Sequence, residues 1–176
     1  MNSIIVYGSY YGTTRQYAEE LSRRTNIKVI SFKAINQQIN DYDNIIYLGG
    51  LYAGGVLGMS KTLKKIKDVS DKKIIIATVG LSDPTDEVNK NNIRNNIKNQ
   101  ISKEIFEKAK IFHLRGGIDY SKLNFAHKTM MKLLYNAVKN LPEEKQSAED
   151  RAMIETYNKK VNFIDFSGLD EIIDEI

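Results

Sequence analysis

The sequence predicts an α/β fold, a parallel sheet of five strands between two layers of helices, and three observations predict it. Five short apolar runs recur: Ser3 to Gly8 (SIIVYG), Lys28 to Phe32 (KVISF), Asn44 to Gly49 (NIIYLG), Lys73 to Val79 (KIIIATV) and Lys110 to Leu114 (KIFHL). Each is rich in β-branched residues and apolar on both sides rather than alternating, as a strand buried on both faces must be. Amphipathic stretches of helical period separate them, and that alternation implies right-handed crossovers and a parallel sheet.

The connecting elements follow in order. Tyr17, Ala18 and Leu21 share one helical face after the first strand. Ala34 to Tyr42 has room for a short helix, and Met59, Leu63 and Ile66 form the next apolar face. Ile93, Ile97, Ile101 and Ile105 recur at i, i+4 and predict one long helix. Asp83 is its expected cap, Pro84 suits its first turn, and Asp86 and Glu87 favour the positive dipole end. Beyond the fifth strand, Gly116 to Tyr120 (GGIDY) predicts a turn. Lys122 to Leu141 predicts a long helix with Met130, Met131, Leu134, Ala137, Val138 and Leu141 at apolar positions. Ser147 with Asp150 has the spacing of a capping box. Val161 to Phe166 is expected to be extended, and Ser167 with Asp170 to open a final helix through Leu169, Ile172, Ile173 and Ile176. No repeat or low-complexity linker divides the chain, so residues 1–176 are expected to form one domain, with 116–162 an extra helical insertion before the C-terminal helix.

The bulk composition narrows the function classes. A length of 176 residues with 41% apolar content suits one domain with an ample core. The absence of cysteine excludes disulfides and thiolate metal sites, and His113 and His127, the only histidines, cannot build a histidine-rich metal site. No run approaches the ~20 apolar residues of a membrane span. The N-terminus lacks the basic stretch of a signal peptide, so the cytoplasm is the expected location. A net charge of +4 and a pI near 9.0 are mildly basic. Aromatics do not interleave with arginines, so nucleic acid is not an expected partner.

The most informative residues are Ser9, Tyr10, Tyr11, Gly12, Thr13 and Thr14, between the first strand and the first helix. A loop there aims backbone N–H groups and a positive helix end at one point above the sheet, with Ser9, Thr13 and Thr14 adding hydroxyls. A P-loop is excluded because no lysine follows Gly12, and the G-x-G-x-x-G spacing of a dinucleotide site is missing. A phosphoacceptor receiver domain would place acids where Gly8 and Ser9 stand.

These residues resemble the flavodoxin phosphate-binding signature, roughly Ser/Thr-x-Thr/Ser-Gly-x-Thr, with Ser9, Gly12 and Thr14 in register. Tyr11 stands where most flavodoxins carry a small hydroxyl residue. The resemblance implies a flavodoxin-like three-layer sandwich with strand order 2-1-3-4-5 and bound flavin mononucleotide (FMN). The rule for doubly wound sheets, for which flavodoxin is itself a standard example, puts the ligand at the switch point between the first and third strands. The flavin ring is then expected between two loops. The first carries Leu51, Tyr52, Ala53, Gly54 and Gly55, with Tyr52 the candidate to stack on the ring. The second carries Gly80, Leu81, Ser82 and Asp83 and lacks the aromatic that flavodoxins usually place there, which implies an open flavin face. No catalytic acid–base pair is identifiable, and a flavin, which carries the redox chemistry itself, needs none.

The tail points to a subgroup. Gly117 to Phe125 (GIDYSKLNF) and the basic Met/Leu stretch Lys128 to Leu134 (KTMMKLL) resemble the bacterial flavodoxin-type (menaquinone-dependent) protoporphyrinogen oxidases. That resemblance implies an FMN-dependent oxidoreductase passing electrons from a porphyrinogen to a quinone. The alternative is a flavodoxin-type electron carrier serving redox protein partners. Lys122, Lys128, Lys132 and Lys139 around an apolar helix also suit peripheral contact with the inner face of an anionic membrane, and Arg115, Lys122 and Lys128 are candidates to attract propionates.

Overall fold

The structure, a computed structural model, describes residues 2–52 and 55–176. In chain order its elements are β1 (Ser3–Gly8), α1 (Thr13–Thr25), β2 (Lys28–Ser31), β3 (Asn44–Tyr52), β4 (Gly55–Val56), α2 (Met59–Leu63), β5 (Lys73–Gly80), α3 (Glu87–Lys98), α4 (Lys103–Lys108), β6 (Lys110–Arg115), β7 (Gly117–Asp119), α5 (Phe125–Val138), α6 (Ala148–Thr156), β8 (Lys160–Asn162) and α7 (Asp170–Asp174). The main sheet runs β2-β1-β3-β5-β6, all parallel, and β4 folds back antiparallel on the end of β3. Counting the five main strands alone, this is the expected order 2-1-3-4-5.

Alternate residues of each strand point to opposite faces, so the all-apolar runs feed two cores. Ile4, Val6, Ile45, Tyr47, Ile74 and Ile76 pack on one side with Met59 and Leu63 of α2 and Ile93 and Ile97 of α3. Ile5, Ile46, Leu48, Ile75 and Ala77 pack on the other with Tyr17, Ala18 and Leu21 of α1 and Leu169 and Ile172 near α7. Register brings Gly8 opposite Gly49, Gly50 opposite Val79 and Gly80 opposite Arg115, so the carboxyl ends of β1, β3, β5 and β6 form one edge.

Several local expectations need correction. The long helix from Glu87 is two helices: Gln100 turns its amide to Asn96 O (3.0 Å) and to the N–H of Val56 (3.1 Å), and Ser102 caps a second helix. Ile101 and Ile105 stay in the same core across the break. Asp86 is the cap of α3, accepting from Asn89 N–H at 2.8 Å, while Asp83 closes a tight turn with Thr85 N–H (2.8 Å) and its hydroxyl (2.7 Å). The segment after β6 is not a turn: β7 pairs antiparallel with β8 through Gly117 opposite Asn162. Only Val161 and Asn162 of the stretch expected to be extended lie in that strand. Asn124 caps α5 through His127 N–H, and the Ser147–Asp150 capping box is present on α6. At the C-terminus Asp165, not Ser167, accepts the capping bond, from Ser167 N–H at 2.9 Å, and a 3-10 turn (Phe166–Leu169) leads into α7. Among the described residues no helix is long and apolar enough to cross a membrane.

Candidate functional site

The loop from β1 to α1 is built around Gly12. Its φ of +96° is a left-handed conformation that L side chains rarely adopt, and a Cβ there would meet nothing within 4 Å, so the constraint is backbone conformation and not crowding. The Gly12 N–H donates to Ser9 Oγ (3.0 Å), which tightens the loop under the helix start. Among the described residues no protein acceptor takes the N–H groups of Thr13, Thr14 or Arg15. The first turn of α1 holds no acidic residue, and Arg15 is paired with Glu19 at 2.6 Å. The positive end of α1 is therefore left without an internal counter-charge.

This loop forms one corner of a cavity of about 410 Å³ at the carboxyl edge of the sheet. Ser9, Tyr10, Tyr11, Thr13 and Thr14 line it from the first loop, and Leu51 and Tyr52 from the end of β3. Gly80, Leu81 and Ser82 line it from the end of β5. Thr14 is buried, and a Cβ on Gly50 would come within 3.1 Å of its hydroxyl, so Gly50 is where β3 lets the loop close in. Gly12, Gly55 and Asp83, also expected at the site, do not line the cavity. Gly12 shapes the loop from behind, Gly55 lies against Gln100, and Asp83 is engaged with Thr85. Ala53 and Gly54 lie outside the described residues. The Ser82 hydroxyl accepts from Asn89 Nδ2 at 2.9 Å, which ties that loop to α3.

The cavity has a roof that the sequence did not reveal. α5 contributes His127, Met130, Met131 and Leu134, and α6 contributes Met153. His127 sits among three tyrosines, with ring centroids 4.9 Å from Tyr52, 5.2 Å from Tyr10 and 5.5 Å from Tyr11. Its Nδ1 shares a hydrogen bond with the Tyr11 hydroxyl, whose oxygen also accepts the Asn124 N–H at 3.4 Å. The methionines at 130 and 131 were visible as apolar positions on a helix; nothing in their spacing says that they face a cavity. His127 had one available signal, its rarity.

Arg115 is committed elsewhere. Its Nε donates to Leu81 O (3.0 Å), and its guanidinium lies 3.9 Å over the Phe163 ring. Lys128 instead lines an open groove on the far side of α5, with Lys132, Lys159 and Lys160. Among the described residues no group of acidic and histidine side chains could hold a metal ion.

Residues 4–146 match the family model described as flavodoxin domain. The chain belongs to that family. Structural neighbours of this flavodoxin domain include a flavodoxin of Fusobacterium nucleatum bound to flavin mononucleotide, 18% identical over 71% of this chain and 75% of that one, with a TM-score of 0.43. Oxidised flavodoxin 1 of Bacillus cereus is 17% identical over 80% of this chain and 99% of that one, TM-score 0.42. A flavoprotein of Lactobacillus acidophilus in complex with FMN is 14% identical over 65% and 91%, TM-score 0.40. A search of the curated proteins found no match.

Proposed function

We propose that the protein binds FMN and uses it as an oxidoreductase. One observation carries the reading: the N–H groups of Thr13 and Thr14, which no protein acceptor takes among the described residues, and the hydroxyls of Ser9 and Thr14 lie where the positive end of α1 meets the cavity. That donor set fits a phosphomonoester, because it offers hydrogen bonds and a helix dipole with no acid in the first turn to compete. Ser9 through Thr14 would hold the phosphate, Leu51 and Tyr52 would face the ring from one side and Gly80 through Ser82 from another. FMN supplies the electron transfer when bound; the protein supplies position, polarity and exclusion of water.

The enzyme reading is preferred to the electron carrier because α5 and α6 cover the cavity with Met130, Met131, Leu134 and Met153. A carrier has no use for such an apolar roof over its redox centre. The resemblance of the tail names the reaction as porphyrinogen oxidation with a quinone as acceptor. A volume of about 410 Å³ stands near the lower end of the roughly 300–1,000 Å³ usual for one ligand. A flavin together with a second flat ring therefore requires the roof to lift. The same helix presents Phe125 (86% exposed) and Leu133 (66% exposed) outward. Four lysines and no acidic residue lie between positions 121 and 142, which suits an anionic bilayer as the surface from which an apolar substrate arrives.

The test begins with titration by FMN and by riboflavin. FMN is expected to bind at least about tenfold more tightly than riboflavin, and the Ser9→Ala/Thr14→Ala double variant to lose that margin, as charge-assisted hydrogen bonds imply. Equal affinity for the two flavins would remove the phosphate from this loop. The loaded protein, given protoporphyrinogen IX and a menaquinone analogue in anionic vesicles, is expected to turn over faster than in neutral ones. No turnover, with rapid reduction by a partner reductase instead, would establish the carrier.

A further inference from the structure

We infer that His127, from the insertion and not from either expected flavin loop, forms the second ring-facing wall of the flavin site, and that Tyr11 is the residue that places it there. The inference rests on the FMN reading. Its starting point is a deficit: the loop after β5 offers Gly80, Leu81 and Ser82 to the cavity and no aromatic side chain. The imidazole of His127 lines the same cavity and lies 4.9 Å from Tyr52, the aromatic of the first loop. A ring reaches the cavity from α5 where none is available from β5.

Tyr11 explains the placement. It occupies the position in the phosphate-binding signature where a small hydroxyl residue is usual, so that donor is given up. In exchange the phenol reaches α5, bonding to His127 Nδ1 and accepting the N–H of Asn124 at the helix start. Beyond this contact, Tyr135 of α5 stacks on Tyr157 with ring centroids 3.9 Å apart. No side chain of α5 is fully buried, and it packs mainly on α6, which is itself tied to α3 by the Arg151–Asp86 ion pair at 3.5 Å. A phosphate group settling the Ser9–Thr14 loop thus acts on α5 through Tyr11, and by linkage the seating of α5 acts on flavin affinity to the same degree.

The experiment follows FMN and riboflavin binding to the full chain by flavin fluorescence, with hydrogen exchange over residues 125–138 as a second readout. For His127→Ala both flavins are expected to bind about threefold to tenfold more weakly, by the same factor, because the contact is to the ring. Ser9→Ala is expected to affect FMN alone. Tyr11→Phe keeps the ring but removes the hydroxyl, and is expected to abolish the FMN-dependent slowing of exchange in α5. His127→Gln, which preserves helix and polarity, is expected to follow His127→Ala, so that a folding defect in one is exposed by the other. Wild-type affinity within twofold in both His127 variants, or exchange in α5 that ignores FMN in the wild type, overturns the inference while leaving the FMN reading intact. A wild-type protein that binds neither flavin overturns both.

Discussion

The sheet and the insertion are held together by different means. Along β1, β3 and β5 the central side chains are buried; Ile5, Ile46 and Ile75 are 0% exposed and serve one core. The stretch from Gly117 to Asn162 leaves the sheet edge and returns to it, and its longest helix buries nothing completely. The excursion is closed at its base by backbone bonds, Gly116 N–H to Gly80 O at 2.6 Å and Phe163 N–H to Gly116 O at 3.0 Å. Stability therefore resides in the layer that positions the site, and adaptability in the layer that covers it. Regions with few buried apolar contacts are the ones that open at low free-energy cost.

The widest gap between the two regions is expected in side-chain truncation. Ile46→Ala removes a fully enclosed side chain from the central strand and is expected to cost about 2–5 kcal/mol in urea unfolding. Leu133→Ala on the outer face of α5 is expected to stay within about 0.5 kcal/mol. Comparable losses at the two positions would mean that α5 packs against something more than α6, and the contrast drawn above would fail.

The same contrast governs how much of the molecule was legible in its sequence. Strands packed on both faces write themselves as unbroken Ile and Val runs, and all five main strands were readable to within a few residues. Ile93, Ile97, Ile101 and Ile105 point into one core whether or not the helix breaks at Gln100, so their spacing carried no sign of the break. Asp83 and Asp86 are both chemically able to cap, and only the turn closed by Thr85 decides between them. The pairing of β7 with β8 joins three-residue strands separated by the whole α5–α6 excursion, too short and too distant for any periodicity. For the site, the first loop was legible because its chemistry is contiguous from Ser9 to Thr14. The roof was not, because His127 and Met153 meet the cavity through tertiary packing alone.

A smaller effect is expected where the chain comes back to the sheet. The Tyr17 hydroxyl of α1 donates to Arg115 O (2.7 Å) and accepts Asp165 N–H (3.0 Å), so one phenol joins the end of β6 to the segment leading into α7. Burial raises its pKa, in keeping with a hydroxyl that stays protonated to make this bond. Tyr17→Phe keeps the ring and its edge contact with Phe166 but strands both backbone partners, and is expected to cost about 1–3 kcal/mol. An unchanged unfolding midpoint would mean that the C-terminal segment is anchored by Leu169 and Ile172 alone.

A histidine within the sheet gives the comparison its finest test. His113, on β6, shares a 2.7 Å hydrogen bond with the buried Thr78 hydroxyl and is pushed down to about 4, chiefly by burial and then by Lys90 and Arg94 on α3, with Glu87 opposing. Between the unfolded value near 6.5 and the folded value near 4, the unfolded chain binds the proton and the native one does not, so stability must fall as pH falls through that window. Between pH 7 and pH 5 the loss is expected to be about 1–2 kcal/mol, after allowance for the part of the ring that reaches solvent. His113→Gln, which has no proton to gain, should flatten the dependence of the urea midpoint on pH over this range. If the variant keeps the wild-type slope, the acid sensitivity of the sheet does not come from His113.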